Sequence, residues 1–190
     1  MTGEHVTAII LAGGQSSRFG GVDKGFVEVQ ARPMIEHVLE ALKPQVNTIL
    51  ISANRHIAEY QAYGYPVIED AHFAGQGPLA GIVNCLPAVK TDLAISIPCD
   101  MPFLPDDLLE TLLKVRKISS RLLQVPVTDQ LQSGVVLMPT SVRESIEDAL
   151  KHKQNAVRAW LSTQEFDQID FKAAADRFKN INAFVDIDQI

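Results

Sequence analysis

The sequence of 190 residues predicts a single domain of the α/β class, in which helices cover both faces of a mostly parallel sheet. Strand-like segments alternate along the chain with helical segments of about 10–14 residues, as expected of parallel strands joined by crossover helices. Residues 93–97 are nearly all apolar, which is typical of a central strand buried on both faces. A glycine-rich loop directly follows the first apolar segment. No repeat, low-complexity tract or linker divides the chain, so we assign residues 1–190 to one domain.

The predicted elements follow one another in a regular order. Strands are predicted at residues 6–11, 26–29 (as a short strand or hairpin arm), 46–52, 66–68, 93–97, 122–127, 134–138 and 166–170. Helices are predicted at residues 33–43, 55–63, 78–86, 105–117, 141–152 and 156–161.

Two of these helices carry clear sequence signals. In residues 33–43, apolar side chains recur at helical spacing, and Pro33 suits the first turn. The apolar stripe consists of Met34, Ile35, Val38, Leu39 and Leu42. In residues 105–117, Asp106 and Asp107 are favourable in a first turn, because the amino end of a helix attracts negative charge.

The last third of the chain has weaker local signals. Ser141 and Glu144 have the spacing of a capping box, which predicts a helix start at Ser141. Residues 128–134 are mostly polar, and we expect this loop to lie at the surface.

Composition excludes several classes of function. The net charge of −6 and the pI near 5.3 come without a basic stripe, so nucleic-acid binding is not expected. No apolar run approaches the roughly 20 residues that span a bilayer, and the first residues lack the basic segment of a signal peptide. Cys85 and Cys99 have no CxxC partner, so we expect free thiols in the core. Free thiols suit a reducing compartment, and a cytoplasmic location is therefore expected.

Polar features follow four of the predicted strands. The glycine-rich loop, Ser52, Asp70 and Asp100 each lie at or just after a strand end, and residues 54–56 form a further polar cluster. In open α/β sheets ligands bind outside the carboxyl ends of the strands. We therefore expect these features to share one edge and to line a ligand site.

The loop over residues 11–25 reads LAGGQSSRFGGVDKG. Glycine lets the backbone approach a ligand closely, and Arg18 and Lys24 add positive charge beside free N–H groups. The loop contains neither the GxGxxG pattern of dinucleotide sites nor the GxxxxGK[ST] pattern of P-loops. It is typical of a polyphosphate site, and an ordinary tight turn with exposed basic residues is the alternative.

Asp100 follows an apolar strand between Pro98 and Pro102, and no lysine lies next to it in sequence. An ionised carboxylate at such a position suits Mg²⁺, which takes oxygen ligands together with substrate phosphates. The alternative is a carboxylate that caps a helix or is satisfied by loop amides. For Asp70, a turn aspartate is the alternative. The histidines show no HxH or HExxH spacing, and GxSxG is missing, so neither a transition-metal site nor a serine hydrolase is expected.

With these residues in view, the chain resembles the molybdenum cofactor guanylyltransferases, the MobA-type proteins. The resemblance rests on LAGGQSSRFGGVDKG and on an ordered set of shorter motifs. In chain order these are ANRH, VIED, GPLAG, PCDMP and NIN. It implies a Rossmann-like three-layer sandwich that transfers GMP from GTP to molybdopterin and releases pyrophosphate. It implies Mg²⁺ as cofactor, GTP and molybdopterin as substrates, and molybdoenzymes or other cofactor-biosynthesis proteins as candidate partners, with no nucleic acid and no membrane.

The resemblance also assigns roles to residues. By this resemblance the nucleotide-binding residues are Leu11, Ala12, Gly13, Lys24, Ser52, Asp70 and Asp100. The resemblance implies that the catalytic residues are Arg18, Lys24 and Asp100, with Asp100 as the magnesium ligand. It offers as molybdopterin-side candidates Gly77, Pro78, Asn180 and Asn182. The family often has asparagine where this chain has Ser52.

The chemistry expected from this assignment needs no general base. A phosphate monoester has a second pKa near 6, so the terminal phosphate of molybdopterin is mostly dianionic at pH 7. Catalysis would then depend on alignment and on charge stabilisation by Arg18, Lys24 and the metal at Asp100. Three alternatives stay open: a cytidylyl- or sugar-phosphate nucleotidyltransferase, a non-catalytic nucleotide-binding partner in molybdoenzyme maturation and, more distantly, a dinucleotide oxidoreductase.

Overall fold

The computed structural model describes residues 4–12, 22–183 and 186. Its strands are β1 Val6–Leu11, β2 Glu28–Val29, β3 Arg32–Pro33, β4 Thr48–Ser52, β5 Val67–Ile68, β6 Leu93–Pro98, β7 Leu123–Val127, β8 Val136–Pro139 and β9 Phe166–Asp170. Its α-helices are α1 Met34–Leu42, α2 Ile57–Gln61, α3 Pro78–Cys85, α4 Leu108–Arg116, α5 Arg143–Lys151 and α6 Val157–Leu161. Short 3₁₀ turns lie at Lys24–Phe26, Leu86–Ala88, Thr140–Val142 and Lys172–Phe178.

The central sheet has seven strands in the order β5-β4-β1-β6-β8-β7-β9. Strand β1 pairs in parallel with β4 and β6, and β4 pairs in parallel with β5. Strand β8 is antiparallel to both β6 and β7, whereas β7 and β9 are parallel. The predicted mostly parallel sheet is therefore confirmed, with β8 as the strand that runs against the others.

Both faces of the sheet are buried, which gives three layers. Ile10 of β1 and Ile51 of β4 belong to a core shared with α1 and α4. The neighbouring Ile9 and Leu50 belong to a second core shared with α3, α5 and α6. Successive strand residues point to opposite faces, so a strand covered on both sides must be apolar throughout. Each buried isoleucine or leucine contributes about 1.5–3 kcal/mol to folding.

Most predicted elements are confirmed, with shifted ends. The apolar stripe predicted for the first helix is the buried face of α1, and Pro33 lies just before it, at the N-cap and in the hairpin strand β3. The predicted strand at 26–29 is a hairpin arm of two residues, because Phe26 belongs to the preceding 3₁₀ turn. Helix α4 begins only at Leu108, with Asp107 at its N-cap and without a side-chain cap bond.

One local prediction in the last third of the chain is wrong, and another holds only in part. Helix α5 begins at Arg143 with Val142 at its N-cap, and no side-chain cap bond forms there. Ser141 is taken up by the 3₁₀ turn that follows Pro139, so it cannot occupy the N-cap position that a capping box requires. The loop after β7 is exposed at Asp129 and Gln130, as predicted, but Thr128 and Gln132 are buried, with Gln132 Nε2 donating to Thr128 Oγ1 over 2.7 Å.

Cys85 and Cys99 are buried free thiols, as predicted. Among the residues that the structure describes, no helix is long and apolar enough to cross a membrane.

Candidate active site

The carboxyl ends of three neighbouring strands lie side by side. Leu11 at the end of β1 is in register with Ser52 of β4 on one side and with Pro98 of β6 on the other. Asp100 follows two residues after Pro98, and Asp70 follows β5, which pairs with Ser52 through Ile68. The sheet register thus brings Ser52, Asp70 and Asp100 to one edge, as predicted.

Lys24 and Asp100 form an ion pair at this edge. Lys24 Nζ contacts Asp100 Oδ2 and also donates to Asn182 Oδ1 over 2.9 Å. Both charged side chains are largely buried, so their interaction is stronger than that of an exposed pair. The sequence shows no lysine beside Asp100, because the partner lies 76 residues earlier in the chain. The folded chain therefore places a cation and a carboxylate at the centre of the edge.

The late NIN segment is held against Asp100. Ile181 N donates to the Asp100 carbonyl oxygen over 2.9 Å, and the Asp186 carboxylate accepts from Asn182 N over 2.7 Å. Asn180 lines a cavity of about 290 Å³ that Asp100 also borders. The other lining residues are Pro98, Met101, Gln130, Leu131, Gln132, Ser133, Gly134 and Arg158. Of the four molybdopterin-side candidates, Asn180 and Asn182 thus lie next to Asp100.

Gly77 and Pro78 begin helix α3. Gly77 has φ +75° and occupies the N-cap, and Pro78 is the first helical residue. A Cβ at Gly77 would lie 3.1 Å from the carbonyl oxygen of Asn155, so this turn packs against the segment that leads into α6. Positive φ and this close neighbour both favour glycine. The contact with Asn155 places Gly77 beside the segment before α6, the helix that carries Arg158.

Ser52 is buried beneath α3. Its side chain contacts the Cys85 thiol through a hydrogen bond, and Ser52 is 3% exposed. A Cβ at Gly81 would lie 2.6 Å from Ser52 Oγ and 3.1 Å from Leu11 Cδ2, so α3 approaches the sheet closely here. Ala12 N donates to the Ser52 carbonyl oxygen over 2.8 Å. The structure gives the Ser52 hydroxyl a role in packing α3, and its contact with a nucleotide stays a prediction.

Asp70 and Asn54 hold each other by two hydrogen bonds. Asn54 Nδ2 donates to Asp70 Oδ2, and Asp70 N donates to Asn54 Oδ1, each over 2.8 Å. Asp70 Oδ1 is buried and has no hydrogen-bond partner among the described residues. Burial raises the pKa of Asp70 above its ordinary value, although the bond from Asn54 opposes the shift. The pair joins the ends of β4 and β5 and leaves one carboxylate oxygen with spare acceptor capacity.

The remaining predicted residues fall into two groups. Leu11 and Ala12 lie at the end of β1, with Ala12 almost fully buried. Gly13 and Arg18 lie outside the described residues, so their predicted roles stay predictions.

Sequence reasoning missed three kinds of contact. It interpreted Asn54 only as part of a polar loop, although this side chain fixes Asp70. Arg158 carries no motif, and only the fold brings it to the cavity beside Asp100. Tyr60 lies on the short helix α2, and its buried hydroxyl contacts Asp23, next to Lys24. A sequence signal for Tyr60 is missing because a tyrosine on an apolar helix face usually indicates core packing.

The donor set at Asp100 suits a metal that arrives with phosphate. No group of three or more His, Cys, Asp or Glu side chains in the described part of the chain could hold a metal ion. Mg²⁺ is usually bound by one or two carboxylates, with water and substrate phosphates as the other ligands. A single carboxylate next to a lysine fits that mode of binding and does not fit a closed structural metal site.

Comparisons with known proteins give matches over most of the chain. The family model of the MobA-like NTP transferase domain matches residues 8–169. A molybdenum cofactor guanylyltransferase from Shewanella putrefaciens is 40% identical over 179 residues, which cover 94% of this chain and 92% of the relative. A protein of the same name from Shewanella sediminis is 36% identical over 94% of this chain and 91% of its own length.

Solved structures share the fold at lower identity. Molybdopterin-guanine dinucleotide biosynthesis protein A from Archaeoglobus fulgidus has a TM-score of 0.80 at 23% identity, over 96% of this chain and 95% of that one. The 4-diphosphocytidyl-2C-methyl-D-erythritol synthase from Anaerococcus prevotii has a TM-score of 0.73 at 11% identity, over 98% and 94%. The three-layer fold is thus common to enzymes whose names indicate different nucleotides, and it does not select the base.

Proposed function

Because the chain belongs to the MobA-like NTP transferase family, we propose that it transfers GMP from GTP to molybdopterin, forming the guanine dinucleotide cofactor and releasing pyrophosphate. The observation that carries the proposal is the position of the Lys24–Asp100 ion pair, which lies between two distinct groups of polar residues. On one side lie the β4 and β5 ends with Asp70, and on the other lies the cavity lined by Asn180. A transfer reaction needs such an arrangement, with two substrates reaching one charged centre.

The nucleotide side suits a base that donates hydrogen bonds. Asp70 is an acceptor when ionised. Its Oδ1 is buried, but the hydrogen bond from Asn54 to Oδ2 is exposed and uses only part of the acceptor capacity of that oxygen. The Watson–Crick edge of guanine presents N–H donors at N1 and N2, whereas cytosine presents a single exocyclic amino group there. We assign Asp70 to the donor edge of guanine, with Asn54 fixing the orientation of the carboxylate.

The charged centre would act on the phosphates. Asp100 would be the protein ligand of Mg²⁺, and the bound ion would supply Lewis-acid stabilisation of the phosphate charge. Lys24 offers a positive charge within reach of the same position, and it is the residue from which we expect stabilisation of the departing pyrophosphate. A lysine can exchange a carboxylate for a phosphate oxygen without changing its own charge.

The acceptor side suits a polar molecule with a phosphate group. The cavity of about 290 Å³ lies near the lower end of the usual range for small-molecule sites. Gln130, Gln132 and Ser133 supply hydrogen-bonding groups, and Arg158 supplies positive charge. A dianionic phosphate bound near Arg158 would be a nucleophile without help from a general base. Transfer of the product to molybdoenzymes or to other cofactor-biosynthesis proteins is part of this proposal.

Nucleotide selectivity tests the proposed function. The purified protein is incubated with molybdopterin, Mg²⁺ and either GTP, CTP or ATP, and dinucleotide and pyrophosphate are measured together. We expect both products with GTP, and turnover with CTP in place of GTP would overturn the proposal.

The variant Asp100→Asn separates transfer from mere binding. It removes the charge but keeps the size of the side chain, and a loss of about 10²–10³-fold in kcat is expected by analogy with other preorganised charges. Asp148→Asn is the matched control, because Asp148 is exposed on α5. Unchanged transfer by Asp100→Asn would show that this carboxylate does not take part in the reaction.

A further inference from the structure

A buried hydrogen-bonded pair joins the turn that carries Lys24 to helix α2. The Tyr60 hydroxyl donates to Asp23 Oδ1 over 2.5 Å, and Gly25 N donates to the same oxygen over 3.1 Å. Asp23 is 4% exposed and Tyr60 is 0% exposed. A buried carboxylate is costly without hydrogen-bond donors, so these two donors hold the start of the turn at one position.

Tyr60 also closes the space on the other side of Lys24. A Cβ at Gly25 would lie 2.3 Å from the Tyr60 hydroxyl oxygen and 3.2 Å from its ring, so a side chain does not fit there. Phe26 stacks on the Tyr60 ring with centroids 4.6 Å apart. The residues immediately before and after Lys24 therefore both depend on the position of one tyrosine.

The Tyr60 hydroxyl keeps its proton over the whole physiological range. Burial, followed by the nearby Cys99 and the hydrogen bond to Asp23, raises the pKa of Tyr60 above its ordinary value. The group thus remains a donor to the carboxylate, and an ionised pair of two acceptors does not form.

We propose that Tyr60 is a positioning residue for Lys24, acting through Asp23 and Gly25 to fix the turn from which the ammonium group reaches Asp100. The inference rests on the proposed function in one respect, namely that Lys24 acts on the phosphates of the nucleotide. Helix α2 directly follows the segment that contains Asn54. Tyr60 therefore connects the part of the chain beside Asp70 to the cation at the centre of the site.

The variant Tyr60→Phe tests this role, since it keeps the ring and its stacking and removes only the hydroxyl. We expect kcat/KM for GMP transfer to fall about tenfold, because a hydrogen bond to a charged group is lost. In a Lys24→Ala background the same change is expected to have less than a twofold effect, since Tyr60 acts only through Lys24. An equal loss in both backgrounds would overturn the proposal.

Tyr63→Phe is the matched control. Tyr63 lies just beyond α2, and its hydroxyl donates to Glu36 Oε1 over 3.3 Å, away from the Lys24 turn. We expect this variant to transfer GMP within twofold of the unaltered protein. A loss as large as that of Tyr60→Phe would show that any tyrosine hydroxyl of this region has the same effect, which contradicts a positioning role.

Hydrogen exchange gives a readout that does not require turnover. The Gly25 amide is bonded to Asp23 Oδ1, and we expect its exchange to be about tenfold faster in Tyr60→Phe and unchanged in Tyr63→Phe. If Gly25 exchanges faster in Tyr60→Phe but the unaltered protein does not transfer GMP, the positioning of the turn by Tyr60 is supported and the proposed function is contradicted. Unchanged exchange at Gly25 would overturn the positioning role, whatever the activity.

Discussion

The two sides of the site are built in different ways. On the nucleotide side, which we define by the ends of β1, β4 and β5 and the Lys24 turn, polar side chains are tied to each other, as in the Asn54–Asp70 and Asp23–Tyr60 pairs. We define the acceptor side by the β6 end, residues 130–134, Arg158 and residues 180–182. Here polar side chains line an open cavity, and among them Gln132 is bonded to Thr128. The first arrangement fixes groups before a ligand arrives, and fixed groups lose less entropy on binding.

This difference suggests a division of work between the two sides. A base and a polyphosphate have a defined pattern of donors and charges, which prearranged side chains can match. The acceptor side has more room, and its selectivity must come from shape and from a few charges such as Arg158. The Lys24–Asp100 pair lies where the two sides meet and belongs to both.

The largest effect is expected where the two sides meet. Lys24→Ala removes the cation beside Asp100 and should lower kcat by about 10²–10³-fold. Lys43→Ala is the control, because Lys43 is exposed at the end of α1, where its ammonium group lies over the Tyr65 ring, 6.0 Å from the ring centroid. Steady-state kinetics with both substrates measures the change. A loss confined to the KM of molybdopterin would assign Lys24 to the acceptor side alone.

Two glycines test the difference between the sides directly. A Cβ at Gly81 would press on Ser52 and Leu11 on the nucleotide side, and a Cβ at Gly134 would lie 2.5 Å from Pro98 Cγ on the acceptor side. Each alanine variant should lose about 1–3 kcal/mol of stability through overpacking. We expect Gly81→Ala to raise the KM for GTP about tenfold, and Gly134→Ala to raise the KM for molybdopterin by a similar factor.

These two variants also serve as controls for each other, because their costs in packing are similar and only their positions differ. Unfolding by urea measures the loss of stability, and initial rates at varied substrate concentrations measure the two KM values. Equal effects of both variants on both KM values would contradict the division of the site into two sides.

The sequence predicted the shared edge because parallel strands leave little choice. Once β1, β4 and β6 are parallel, the residues after Leu11, Ser52 and Pro98 must lie together. Which side chains then meet could not be predicted. Lys24 and Asp100 are 76 residues apart, and their contact depends on the path of the chain between them.

Local rules failed where tertiary packing decided the outcome. The capping-box spacing at Ser141 was overridden by a 3₁₀ turn after Pro139. The buried pair of Thr128 and Gln132 could not be predicted from a polar loop, because the burial arises only when both side chains satisfy each other. The same reasoning explains why Tyr60, which has an apolar body and one polar atom, gave no functional signal.

The smallest expected effect concerns stability and pH on the nucleotide side. Burial raises the pKa of Asp70 in the folded chain, so the folded state holds a proton there more strongly than the unfolded state does. The free energy of unfolding should therefore fall as pH rises from the ordinary aspartate pKa through the raised one. Asp70→Asn removes this titration, so its stability relative to the unaltered protein should be greater at pH 7 than at pH 4.

Urea unfolding of both proteins at pH 4 and pH 7 measures this difference. Taking the difference between the two proteins at each pH cancels the titration of the groups that they share. The same variant keeps an amide that can bond to Asn54 but lacks the charge that we assign to guanine. We therefore expect it to be less selective for GTP over other nucleotides, although its fold should be at least as stable as that of the unaltered protein at neutral pH. If the variant is less stable than the unaltered protein by more at pH 7 than at pH 4, ionisation of Asp70 stabilises the folded state, contrary to this prediction. In that case the carboxylate would contribute to the fold as well as to the site, and the nucleotide side would resemble an ordinary polar core.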